Sequence, residues 1–137
     1  MRDSISDMKA LVALAPVVVA DNTIQNGNII DRQGYESLAF IVTTGVLADT
    51  DATFSVMLTD GNDPALADGV LVAGFDMIQS PSVPVSFDFN ADNMTRKIGY
   101  IGGKRYVRLT ITPANNTGNA PLAAIAILED GYYQPNA

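Results

Sequence analysis

Residues 94–112 read MTRKIGYIGGKRYVRLTIT, two runs rich in β-branched and aromatic side chains on either side of Gly102-Gly103. A Gly-Gly pair between such runs suits a two-residue hairpin turn, in which both central residues need positive φ. That turn sets a register in which Ile101 faces Lys104, Ile98 faces Val107 and Met94 faces Ile111. Met94, Ile98, Val107, Leu109 and Ile111 then share one face, with Arg96, Tyr100 and Arg105 at its margins. Lys97, Lys104, Tyr106 and Arg108 take the opposite face, with Lys97 directly across from Arg108. Like charges opposed across a ladder cost up to about 1 kcal/mol, so the register leads us to expect an acidic group over them.

The same grammar extends in both directions. Gly, Pro, Asn and Asp clusters punctuate the chain at short intervals, and the segments between them read as strands over 16–20, 28–31, 36–43, 53–59, 70–75, 84–89, 94–101, 104–112 and 121–128. Phe54, Val56 and Leu58 alternate with Ser55 and Thr59, and Val85, Phe87 and Phe89 alternate with Ser86 and Asp88. Side chains on a strand point alternately to opposite faces, so each segment offers one apolar side to a core. The last segment, PLAAIAILE, is apolar on both faces, as befits a central strand or one covered by another subunit. Helical pattern is confined to two short candidates, Ser4–Leu14 and the turn-sized Pro64–Gly69. The reading is an all-β, single-domain antiparallel β-sandwich or barrel: an extended N-terminal arm over 1–15, the domain over 16–131 and a C-terminal tail over 132–137.

Composition narrows the chemistry. The 137 residues include no Cys, no His and no Trp. That removes disulfides, thiol nucleophiles, histidine triads, and thiolate or imidazole metal ligands. A formal net charge of −7 opposes long-range attraction to nucleic acid or an anionic membrane. The charge is segregated. Residues 93–128 contain five basic residues (Arg96, Lys97, Lys104, Arg105, Arg108) and no acid. The apolar run ALVALAPVVVA (10–20) resembles the core of a secretory signal, but Asp3 and Asp7 offset Arg2 and Lys9, and Pro16 interrupts it. It is too short to span a bilayer. We read it as an arm leading into the first strand.

Motifs that carry chemistry are weak. GYIGGK (99–104) lacks the first glycine of a phosphate loop and has Arg105 where Ser or Thr would hold magnesium. Asp49, Asp51, Asp60 and Asp63 could supply hard oxygen ligands to calcium, but their spacing is not that of an EF-hand, and Asp, Gly and Asn are turn formers in any case. Asn93-Met94-Thr95 and Asn115-Asn116-Thr117 fit the glycosylation pattern and read as turns. No catalytic residue, cofactor or metal is expected, and the chain is read as a non-enzyme.

Two longer stretches carry a family resemblance. QGYESLAFIVTTGVLADTDATFSVMLTDGND (33–63) and KIGYIGGKRYVRLTITPANNTGNAP (97–121) resemble small proteins encoded near the major capsid gene of tailed bacteriophages, the head decoration or cement proteins. The resemblance spans roughly 17–128. It implies a structural role: many copies bind the outside of the capsid, in the virion, and clamp neighbouring major capsid protein subunits. It also implies contact with copies of itself, since decoration proteins often form trimers, and assembly in the host cytoplasm, with no nucleic-acid or membrane partner. The residues expected at contacts are Val17, Val18 and Val19 in the arm, Lys97, Lys104, Tyr106 and Arg108 on the hairpin, and Tyr132 and Tyr133 in the tail. A tail-tube or head–tail connector subunit is the alternative within phage structure. A carbohydrate-binding β-sandwich module is the alternative from another class.

Overall fold

A computed structural model describes residues 3–80, 82 and 84–132. Ten strands form, and no α-helix is found among the described residues: β1 (Met8–Val19), β2 (Gln25–Asp31), β3 (Tyr35–Thr44), β4 (Thr53–Gly61), β5 (Val70–Leu71), β6 (Met77–Ile78), β7 (Phe87–Asp88), β8 (Thr95–Tyr100), β9 (Tyr106–Ala114) and β10 (Ala120–Gly131). A 3-10 turn at Gly74–Asp76 links β5 to β6. They make two antiparallel sheets, β1-β10-β3-β8-β6 and β2-β9-β4-β5, with β7 pairing to β4. The all-β fold is as expected, and of the two architectures left open, sandwich and barrel, it is the sandwich. Phe54, Val56 and Leu58 point into the core from one sheet, and Phe40, Val42, Ile98 and Leu128 from the other. Phe54 and Phe87 stack with ring centroids 5.0 Å apart.

The Gly102-Gly103 hairpin does not form. β8 pairs with β3 and β6 in one sheet, and β9 pairs with β2 and β4 in the other. Residues 101–105 therefore carry the chain across from sheet to sheet. Ile98 and Val107 both reach the core, but from opposite sheets, and Met94 is exposed. Positive φ is not the reason for the glycines, since among the described residues the only glycine with positive φ is Gly34. Close approach is the reason at Gly102, where an added Cβ would lie 2.5 Å from the Tyr100 hydroxyl oxygen.

That hydroxyl is the centre of a buried clasp. Tyr100 closes β8 in one sheet, and its Oη donates to Asp60 Oδ2 on β4 of the other sheet at 2.6 Å. The same oxygen accepts from the Lys104 N–H at 3.0 Å. Arg32 donates to the carbonyls of Lys104 and Gly102, with its guanidinium 5.1 Å from the Tyr100 ring centre. Burial, then the bond to the Asp60 carboxylate, pushes the Tyr100 phenol up to about 12.

The first strand begins at Met8, eight residues before the expected 16–20, so residues 8–15 of the arm belong to the sheet. β1 is an edge strand with two register shifts, between Val12 and Leu14 and between Leu14 and Val17. These irregularities accommodate Pro16, which cannot donate to a ladder. They also let adjacent Ala13 and Leu14 both be buried. Deleting 1–15 would thus strip the edge of a sheet rather than release a free arm. β10 is central, between β1 and β3, as its two-sided apolar pattern suggested. Leu122, Ala124, Ala126 and Leu128 fill the core, while Ile125 on the other face is 42% exposed. The expected strands at 70–75 and 84–89 shrink to two-residue ladders, although Val85 and Phe87 still point inward. Pro64–Gly69 forms turns rather than a helical turn, with Leu66 at φ 55°.

Candidate interaction surface

The expected contact residues do not converge. Lys97 is exposed on the outer face of the β1-β10-β3-β8-β6 sheet, opposite Ile41. Arg108 lies on the other sheet, half-buried between Ile29 and Thr59. The two cations are therefore not paired across a ladder, and the acidic cover inferred from their opposition is not required. Lys104 is exposed in the crossover. Tyr106 is only 9% exposed, because Arg105 covers it with its guanidinium 4.9 Å from the ring centre. Val19 is core, Val17 packs against the core, and Val18 is exposed. Tyr132 is exposed, and its bond to the Glu36 carboxylate raises its phenol. Tyr133 lies outside the described residues.

Surface acids are used within the chain, Asp49 of the calcium candidates among them. Asp49 accepts from the Asp51 and Thr117 N–H groups at 2.9 and 2.7 Å and from the Thr117 hydroxyl at 2.9 Å. Asp68 accepts from the Asn62 and Asp63 N–H groups at 2.9 and 3.1 Å. Those backbone donors hold both carboxyls below the usual carboxylate range. Asp31 is lowered by Arg105, which grips it in a fork at 2.8 and 2.9 Å. Among the described residues no group of three or more Asp or Glu is gathered as a metal site.

The surface that sequence reasoning did not single out is the outer face of the β1-β10-β3-β8-β6 sheet. One row across all five strands reads Ala10, Ile127, Ala39, Gly99, Ile78, and the next reads Val12, Ile125, Ile41, Lys97. Val12, Ile125 and Ile78 are 49%, 42% and 60% exposed, and no layer of the described residues covers them. A sheet face normally alternates apolar-in and polar-out when it meets water. This one is aliphatic on both sides, and contiguous exposed apolar surface of that kind marks contact with another molecule. The signal was present in PLAAIAILE, whose outward residues are Ala123, Ile125 and Ile127. Where β8 crosses the face, the absent side chain of Gly99 and the short one of Ala39 leave a groove of about 460 Å³, walled by Ile78, Gln79 and Lys97.

A second apolar feature lies on the rim that closes the sandwich between β5 and β6. Val70, Leu71 and Ile101 are well exposed there, and Phe75, on the 3-10 turn, is 81% exposed. The turn is fixed at its base, since the Ile101 N–H donates to the Asp76 carbonyl at 2.8 Å. Among the described residues no helix is long and apolar enough to cross a membrane.

No known protein family and no curated protein matches the sequence. Among solved structures, the SPBc2 prophage-derived protein YomS is similar at a TM-score of 0.50 and 10% identity, with 93% of this chain matched to 98% of that one. The CBM22-1–GH10 modules of the Clostridium thermocellum endo-1,4-β-D-xylanase 10B, complexed with xylohexaose, give a TM-score of 0.43 at 11% identity, covering 97% of this chain and 28% of that one. The YomS likeness covers most of both chains and shows a shared fold.

Proposed function

We propose that this chain is a structural virion protein of a tailed bacteriophage, one that binds the outer surface of the capsid and stabilises contacts between major capsid protein subunits. The observation that carries the reading is the uncovered aliphatic face centred on Val12, Ile125 and Ile41. A face built this way has its use in contact, and many copies on a regular shell turn individually modest contacts into firm attachment. The resemblance of residues 33–63 and 97–121 to decoration proteins supports it, and the fold shared with a prophage-encoded protein is in keeping with it. The net charge of −7 suits a protein kept away from packaged DNA.

The test is cosedimentation of the purified chain with undecorated capsids, scored as copies bound per shell. Saturable binding at a stoichiometry matching lattice positions is expected, and no binding overturns the reading. Ile125→Thr together with Val12→Thr should lower shell affinity by about tenfold or more, as loss of central interface anchors does. Both side chains already point to solvent, so the thermal midpoint of the free chain should barely move.

A further inference from the structure

The rim and the groove are complementary, and both belong to one chain. We propose that Phe75 of one copy seats in the groove over Gly99 of a second copy. The knob is the most exposed large hydrophobic residue described, carried on a short turn that is tied to the Ile101 N–H. The receptor is a ready-made depression with an apolar floor, Ala39 and Gly99, and an apolar wall, Ile78. A benzyl group fits a cleft of about 460 Å³ with room for the aliphatic side chains beside it.

Charge selects a copy of this chain as the occupant. The groove and its continuation along β8 are lined by Lys97 and Arg96 and by no acid. The knob is followed directly by Asp76, with Asp63 and Asp68 on the neighbouring loop and no base between Asp60 and Ile78. Seating Phe75 therefore brings the acidic rim against the basic end of the sheet face. Opposite potentials of this kind fix orientation and exclude wrong partners. Knob and groove are neighbours on one patch, with Phe75 three residues before the groove wall at Ile78, so two copies exchange knobs about a two-fold axis and the contact closes as a dimer. The central part of the face, at Val12 and Ile125, stays available for the shell.

This inference rests on the reading of the chain as a shell protein that also meets its own copies. The two are measured separately, so either can fail alone. Sedimentation velocity of the purified full chain over a range of concentrations is the experiment. A concentration-dependent, closed dimer is expected, and a chain that stays monomeric at every concentration overturns the proposal. Phe75→Ser and Gly99→Leu should each shift the association midpoint by about tenfold or more. Folding is not at stake in either, since Phe75 is exposed and a Cβ on Gly99 meets nothing nearer than 3.7 Å. Midpoints unchanged in both variants overturn it. Lys97→Glu alone and Asp76→Lys alone should weaken association, and the two together should restore it. Failure of the double variant to exceed either single one overturns the charge pairing, and with it the choice of a second copy as the occupant.

Discussion

Tyr100→Phe is expected to cost the fold about 3 kcal/mol, read as a lower denaturant midpoint at unchanged slope. The substitution removes a single oxygen and leaves the ring in place, so no cavity contributes. What is lost is the bond to Asp60 at 2.6 Å and the acceptor for the Lys104 N–H at 3.0 Å. Asp60 is only 6% exposed, and stripping the donor from a buried carboxylate leaves its desolvation uncompensated. The pH response carries the same signature. The phenol titrates near 10 in the unfolded chain and is pushed up to about 12 in the folded one. Between those values the unfolded chain has released a proton that the folded chain still holds, so stability falls as pH rises from about 10 to about 12. Below that window the phenol makes no pH-dependent contribution. Tyr100→Phe should flatten this alkaline loss while lowering stability at neutral pH, and chemical denaturation at pH 7 and at about pH 11 would show both.

Gly27→Ala should be at least as damaging, about 3 kcal/mol or more. Gly27 lies in β2 at the corner where the two sheets meet. A methyl there would sit 2.6 Å from the Leu109 carbonyl oxygen and closer still to that of Ala13. Both obstacles are backbone, so no rotamer change relieves them, and β1 would have to part from β2. The Asn28 side chain, which donates to the Val12 carbonyl at 3.0 Å, would be drawn away with it. Gly103→Ala is the control, because a Cβ there meets nothing within 4 Å. Its effect should stay within about 0.5 kcal/mol. Equal losses in the two variants would mean that backbone freedom, not the closeness of the corner, is what Gly27 supplies.

Alternation made the all-β fold legible while leaving sandwich and barrel open. Phe54, Val56 and Leu58 announce their inward face without help from any other segment. The topology around Gly102 was not legible, for a definite reason. Ile98 and Val107 are apolar whether their strands lie side by side or face each other across the core, and alternation cannot distinguish the two cases. The deciding interaction joins Asp60 and Tyr100, forty residues apart, and nothing local marks it. The interaction surface was half visible. PLAAIAILE declared two apolar faces, but the register that lines Ile125 up with Val12 and Ile41 exists only in the sheet. Phe75 sat within an expected strand, where an exposed knob has no signature. Tyr106, read as a contact among basic residues, is covered by Arg105, its own chain neighbour.

The pairing of β1 with β10 also governs how the chain must fold. Met8 lies opposite Glu129, and Val19 opposite Ala120. The first strand therefore has no ladder partner in its sheet until the last one has been synthesised, and β3 likewise waits for β10 along one of its edges. Such pairing must close most of the chain into a loop before its contacts form, which places folding on the order of milliseconds to seconds. During translation, the apolar run from Ala10 to Val19 would wait exposed, a candidate for chaperone binding. A transcript cut short before β10 would yield a chain with two unsatisfied strands and no route to the native sheet. Only complete copies would present the face that we assign to the capsid, so the topology itself screens truncated products out of assembly.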